Sequence, residues 1–289
     1  MSEPFLRIID PGLGATLQDQ GRHGWRRFGV PTSGAMDLHA AAVANRLLGN
    51  PPWAPVVEFL LQGAKIEPLQ PCWVAVCGAD QMASVPLWRA VRLEPGKTLT
   101  LGRNHAGIWA YLAIEGGFAC PHWLDSASTL AAANLGRALR PGDLLGRVES
   151  EPRFSLPTGV GGRSASRLDQ WDYHAPPPLR VHPAPQTGWF SDAARAALFD
   201  TAWTVAPQSN RVGYRLDGPP LPAPQGQMIS EPIRVGSIQV PPGGQPLVIM
   251  RDGPTIGGYP KIGLVDPADV NWLAQCRPGQ SLRFVPAES

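Results

Sequence analysis

The sequence predicts a mainly-β chain with a few covering helices, arranged as two β-rich halves. Three observations point there. A Pro-Gly pair followed by a polar residue and alternating apolar positions occurs in "LEPGKTLTLG" (93–102), "LRPGDLLGR" (139–147) and "CRPGQSLRFV" (276–285). The 32 glycines and 33 prolines accompany a 43% apolar content, the balance of short strands joined by turns rather than of a disordered chain. Helical spacing is confined to three short segments.

In chain order, "MDLHAAAVANRLL" (36–48) has helical spacing and stops at Gly49, a natural C′ residue. Trp73–Val76 and Gly107–Ile114 read as strands. In each Pro-Gly segment proline suits the second position of a type II turn. Glycine supplies the positive φ of the third, so each turn feeds a strand. The Ser/Gly/Pro-rich stretch around 155–168, extended by "HAPPP" (174–178), reads as a linker or long loop. "SDAARAALFD" (191–200) begins at Ser191, a good N-cap. Ser237–Val240 and Pro246–Arg251 are strand candidates, and "DPADVNWLAQC" (266–276) offers Asp266 as N-cap and Pro267 at N1. The expected halves are 1–150, carrying the helix near 36–48, and 180–289, with 151–179 between them. At 289 residues the chain is long enough to bury roughly three quarters of its unfolded surface without disulfides.

Charge and composition exclude several classes. A net charge of +2 argues against a dedicated nucleic-acid surface. Four cysteines (Cys72, Cys77, Cys120, Cys276) form no CxxC pair and read as small buried hydrophobes. Six histidines lack HxxxH or HxH spacing, so no metal is expected. No apolar run approaches the about eighteen residues of a membrane span, and the N-terminus has neither a basic nor an apolar leader region. The expectation is a soluble, cytoplasmic protein. No GxSxG elbow or Rossmann fingerprint is present.

Three segments are dense in chemistry-bearing residues. "RDGPTIGGYPKIG" (251–263) gathers Arg251, Asp252, Thr255, Gly257, Gly258, Tyr259 and Lys261, one of only three lysines. It lacks P-loop spacing, and Pro260 removes an amide donor, so Gly257-Gly258 reads as a turn centre rather than a phosphate cradle. The surrounding polar residues exceed what a turn needs. "TLQDQGRHGWRRFGVPTSGAMD" (16–37) holds Gln18, Asp19 and Arg22, and Ser33-Gly34 just before a helix, where backbone amides favour an anion; a capped helix after a polar loop explains Ser33 and Asp37 equally well. "QSNRVGYRLDGPPL" (208–221) carries Arg211, Tyr214 and Arg215; arginine forks suit carboxylate or phosphate, and surface arginines on a hairpin are the plainer reading.

Taken in one order, these segments, with "LLGN" followed by Glu58, "YLAIEGGF", "SNRVGYRL" and "SEPIRVGSIQVPPGGQPLVIMRDGPTIGGYPKIG", resemble the allophanate hydrolase subunit 2, or biotin-dependent carboxyltransferase-like, family. That family includes the C subunits of bacterial 5-oxoprolinases and kinase-inhibitor antagonists, and the likeness runs from about residue 8 to 285. It implies a cyclophilin-like β-barrel architecture, a subunit 1-type partner of similar fold, and a third 5-oxoprolinase component. The implied activity is ATP-dependent opening of 5-oxoproline to glutamate, with ATP shared with or bound by the partners and no activity expected of this chain alone. The implied alternatives are biotin-dependent carboxyl transfer to a urea or amide acceptor, with biotin carried elsewhere, and non-catalytic antagonism of a histidine-kinase inhibitor. On that resemblance Asp19, Asp252 and Lys261 are the catalytic candidates. Gln18, Arg22, Ser33, Arg211, Tyr214, Arg215, Gln239, Arg251, Thr255, Gly257, Gly258 and Tyr259 are the substrate-binding ones. Two departures from the family pattern stand out, Pro232-Ile233 after "SE" and Pro254-Thr255-Ile256 before the Gly-Gly pair.

Overall fold

A computed structural model describes residues 3–148, 162–224 and 228–288. The chain divides into two compact units, one of residues 1–22 and 33–174, the other of 23–32 and 175–289. The second unit therefore takes in His23–Thr32, which the sequence places in the first half. Residues 151–161 of the expected linker lie outside the described residues. Those from 162 to 174 pack within the first unit, where Ser164 bridges to Arg89 and the Tyr173 hydroxyl donates to Asp37 Oδ2 at 2.8 Å.

The first unit contains β1 (Pro4–Pro11), β2 (Ala15–Gln18), α1 (Leu38–Leu47), β3 (Val56–Leu60), β4 (Ala64–Pro68), β5 (Cys72–Ala83), β6 (Arg89–Leu93), β7 (Leu99–Ile114), β8 (Phe118–Ala119) and β9 (Leu144–Arg147). All pairings are antiparallel, in the order β2-β3-β7-β4-β1-β9-β8, with β5 on the other side of β7 and β6 beyond it. β7 is long enough to pair with β3 and β4 in succession along one side, and register shifts along β5–β7 bend the sheet. One face packs a core of Leu6, Ile8, Phe59, Ile66, Leu101 and Leu112. α1 packs on β5 and β7, so the run Trp109–Ile114 is buried on both faces rather than alternating.

α1 starts two residues later than its spacing suggests. Asp37, not Ser33, is the N-cap, accepting from Ala40 N at 3.0 Å, which is worth about 1 kcal/mol. Its other end behaves as expected, with Gly49 at φ 73° past the last turn. Buried Glu58 fixes the approach to this helix: Oε2 accepts from Met36 N at 2.7 Å and from the Tyr111 hydroxyl at 2.9 Å.

The second unit contains β10 (Leu179–His182), α2 (Asp192–Asp200), β11 (Trp203–Val205), β12 (Gly213–Asp217), β13 (Glu231–Pro232), β14 (Ser237–Gln239), β15 (Leu247–Ile249), β16 (Ile256–Gly257), β17 (Lys261–Val265), α3 (Asp269–Gln275), β18 (Ser281–Leu282) and β19 (Phe284–Pro286). Eight strands run in the order β18-β11-β12-β15-β14-β17-β10-β19, and β13 pairs with β16 as a separate ribbon. The two strands at the ends of that order, β18 and β19, are separated in sequence by Arg283 alone. The sheet must therefore curl until its ends meet, which makes it a nearly closed barrel. Trp203, Tyr214, Ile238, Val248, Leu273 and Phe284 are buried in this unit.

The mainly-β class with few helices is thus the one found. All three Pro-Gly segments turn as read: Gly96, Gly142 and Gly279 have φ of 82°, 89° and 84°, each just before a strand. Ser191 caps α2, accepting from Ala194 N at 3.2 Å. α3 differs from expectation. It begins at Asp269, because Asp266 caps the preceding turn through Ala268 N at 2.9 Å rather than the helix itself.

Candidate functional site

In the first unit the structure turns Asp19 into an anchor. The residue is 8% exposed. Its Oδ1 accepts from Gly21 N and the Ser126 hydroxyl, both at 2.7 Å, and from the Ser128 hydroxyl at 2.5 Å, while Oδ2 accepts from Ala127 N at 2.7 Å. Four donors occupy the carboxylate, so it ties β2 to the 126–128 segment instead of standing open as a base. Gln18 is equally enclosed, its amide nitrogen donating to Thr16 Oγ1 and Thr129 O. Arg22 is fully buried and donates to Ser128 O. Ser33 sits at φ 57° with its hydroxyl on Thr129 O at 3.0 Å, which corrects its expected place at a helix N-terminus.

The remaining candidates lie in the second unit. Arg211 and Asp252 form a two-point ion pair, with Nε to Oδ2 at 2.7 Å and Nη2 to Oδ1 at 3.0 Å, so each uses its charge on the other. Tyr214 is a buried residue on β12 whose hydroxyl donates to Ala274 O at 2.7 Å. Arg215 is exposed on the same strand. Arg251 donates to Asn271 Oδ1 at 3.1 Å, and the carbonyl of buried Thr255 accepts from Ile233 N at 3.0 Å.

The expected Gly257-Gly258 turn is not formed: Gly257 ends β16 and Gly258 follows it. The turn lies earlier, at Met250–Gly253, closed by Gly253 N on Met250 O at 3.0 Å, and Gly257 pairs with Glu231 in the β13–β16 ribbon. Gly257 is demanded by a close approach: a Cβ there would lie 2.6 Å from the amide nitrogen of Gln239 and 3.1 Å from Ile233 Cδ1. That Gln239 nitrogen donates to the carbonyl of Tyr259, whose ring is exposed, at 3.3 Å.

Lys261 is where candidate residues and open space meet. Its side chain is 5% exposed, and its ammonium pairs with Glu231, whose side chain is 34% exposed. Burial draws the Lys261 pKa below the ordinary lysine value. Gln186 also donates to Glu231 Oε1, at 2.9 Å. The pair borders a cleft of about 490 Å³, whose other charged lining residues are Arg26 and Arg234; Pro183, Pro185, Pro232 and Leu264 form apolar walls. The Arg26 guanidinium donates to the carbonyls of Ile233 and Pro254. Burial lowers its pKa, yet arginine starts so far above neutrality that it remains a cation. Asp19 also borders a cavity, of about 680 Å³, but there the carboxylate is already taken up by four donors. Among the described residues no group of three or more His, Cys, Asp or Glu side chains converges as a metal site. None of their helices is long and apolar enough to cross a membrane.

Residues 28–286 match the family described as "Carboxyltransferase domain, subdomain A and B". The chain belongs to this carboxyltransferase-domain family. It is 35% identical to the C subunit of the 5-oxoprolinase from Escherichia coli (strain K12), over 97% of this chain and 91% of that one. The corresponding protein of Haemophilus influenzae is also 35% identical, over 97% and 90%. The urea amidolyase of Saccharomyces cerevisiae is 30% identical over 97% of this chain, which spans only 16% of that much longer protein. Among solved structures, TTHA0988 superposes with a TM-score of 0.88 at 35% identity, over 98% of this chain. Here the chain spans 55% of the other, about half its length. The Kluyveromyces lactis urea carboxylase gives 0.87 at 27% identity, over all of this chain and 28% of that one.

Of the four charged residues that line this cleft, the sequence candidates include Lys261 but not Glu231, Arg26 or Arg234. A usable signal existed for Glu231. It lies in the "SEPIRVG" stretch, and a buried lysine needs an acid within reach. Arg26 lies in the arginine-bearing 16–37 segment but is not among the candidates, and Arg234 has no local signal.

Proposed function

We propose that this chain is one component of an ATP-dependent 5-oxoprolinase, the enzyme that opens 5-oxoproline to glutamate. One observation carries the reading: 35% identity to two 5-oxoprolinase C subunits across nearly the whole of both chains. The cation-lined cleft supports it, because 5-oxoproline is a small carboxylate with a compact ring. The lactam carbonyl is a poor electrophile. ATP as co-substrate would phosphorylate its oxygen and leave as ADP, water would add to the ring carbon, and the C–N bond would break with a proton going to nitrogen; a second water would then hydrolyse the resulting acyl phosphate to glutamate and free phosphate. In this reading Lys261 exchanges that proton, with Glu231 as its counter-ion. Asp19 and Asp252 serve as structural anchors in this account. A subunit 1-type partner and a third component complete the enzyme, and this chain alone is inactive.

The test is reconstitution. The chain is mixed with its two proposed partner subunits, 5-oxoproline and ATP, and glutamate and ADP are followed with each subunit omitted in turn. Glutamate formed only by the full set supports the reading. A stable complex that forms none refutes it.

A second reading has a specific observation behind it. The family description and the match to urea amidolyase over 97% of this chain favour carboxyl transfer from biotin carried on another chain. Turnover that requires a biotinylated partner and bicarbonate, with urea or an amide as acceptor, would select it.

A further inference from the structure

The cleft beside Lys261 has an unbalanced charge. Lys261 and Glu231 neutralise each other as a pair. The two remaining charged residues in the lining, Arg26 and Arg234, are both cations. Among the described residues, none of the Arg26 hydrogen bonds goes to a carboxylate. It donates to the Ile233 and Pro254 carbonyls and, at 3.5 Å, to the Thr32 hydroxyl. Those neutral acceptors fix its direction and leave its charge uncompensated. Arg234 is exposed, and its guanidinium makes no hydrogen bond or ion pair among the described residues; only its backbone is engaged, its N–H on Ser237 Oγ at 3.3 Å and its carbonyl accepting from Ser237 N at 3.1 Å. One guanidinium is thus held and the other is free to swing, at the edge of a cleft whose remaining walls are largely proline and aliphatic.

We propose that this cleft is a carboxylate-binding site, with Arg26 as its fixed cation, Arg234 as its closing one, and the apolar walls receiving the compact body of the ligand next to the Lys261–Glu231 pair. The Arg234 fork can meet a carboxylate through two parallel hydrogen bonds, stronger than neutral ones, while Arg26, whose Nη2 donates to two carbonyls, contributes its charge. The proline walls suit a small ring or short aliphatic chain and reject a second charge. The inference rests on the 5-oxoprolinase reading only for which carboxylate is bound; the site itself stands on the charge and shape of the cleft.

The experiment is titration calorimetry of the full chain, without partners, with 5-oxoproline and with its carboxamide, which keeps the ring and removes the charge. The acid is expected to bind at least about tenfold more tightly than the amide, and to weaken as salt rises. Arg234→Gln is expected to lose about tenfold for the acid and nothing for the amide. Arg234→Lys, which keeps the charge without the fork, should recover part of that loss, and Lys65→Gln, on an exposed strand position of the first unit, should bind as the wild type. Equal binding of acid and amide, an Arg234→Gln chain as tight as the wild type, or no binding of the acid at all would overturn the site. Failure of the site and of the enzyme reading are separable. A reconstituted complex that makes glutamate while Arg234→Gln binds normally removes the site alone. Tight, Arg234-dependent binding by a chain whose complex makes no glutamate removes the enzyme reading alone.

Discussion

The ammonium of Lys261, 5% exposed, rests on the carboxylate of Glu231, 34% exposed, so one end of this ion pair is dry and the other wet. The lysine depends on that partner more than the glutamate does. Removing the acid strands a buried positive charge, whereas removing the amine leaves a carboxylate that water reaches. Glu231→Gln is therefore expected to cost about 2–3 kcal/mol in urea unfolding and Lys261→Met clearly less, since breaking a buried pair from one side is the costly change.

The same pair gives a pH signature. Burial holds the folded-state pKa of Lys261 below its ordinary value. Between that lowered value and the unfolded value of about 10.4, the unfolded chain binds more protons, so this residue makes stability rise with pH across the window. The difference in melting temperature between wild type and Lys261→Met should shift in the wild type's favour as pH climbs from about 8 to about 10.5. A difference that stays constant over that range would place the folded pKa at the ordinary value.

Asp19 is predicted to be a stability residue. Asp19→Asn replaces one acceptor oxygen with a donor facing Ser126, Ala127, Ser128 and Gly21, and should cost about 2–4 kcal/mol. Ser128→Ala should cost about 1–2 kcal/mol. Chemical denaturation measures both. Turnover per folded molecule should be unchanged in the serine variant, and a large fall in that value with intact stability would return Asp19 to the chemistry.

Gly257→Ala should destabilise by about 1–3 kcal/mol through overpacking against Gln239. Adding Gln239→Ala removes the obstacle, so the double variant should lose less than the two single losses combined. Additivity in a double-mutant cycle would mean the added methyl finds room elsewhere.

Tyr214→Phe removes the hydroxyl from Ala274 O and should cost about 1–2 kcal/mol while leaving substrate affinity alone. A raised KM with unchanged stability would make Tyr214 a ligand contact after all.

What was legible in the sequence is what short-range chemistry determines. The Pro-Gly turns at Gly96, Gly142 and Gly279, the Ser191 cap and the Gly49 terminus each follow from a few neighbouring residues. Gly257 misled because two glycines in a row suit a turn, whereas here glycine answers a side chain arriving from another strand. Asp19 could not be assigned a role from its surroundings, because its serine partners lie more than a hundred residues away along the chain. The cleft was illegible for the same reason. Arg26 comes from a segment that leaves the first unit's part of the chain and joins the second, and it meets Glu231 and Arg234, from β13 and just after it, and Lys261, from β17. Only Lys261 drew attention, by its rarity.

The most direct test of the central claim, that this cleft receives the substrate carboxylate of a 5-oxoprolinase, is steady-state kinetics of the reconstituted complex carrying Arg234→Gln. The expected result is a KM for 5-oxoproline raised about tenfold or more with the KM for ATP unchanged. A complex that turns over 5-oxoproline with wild-type KM when Arg234 is replaced would contradict the account.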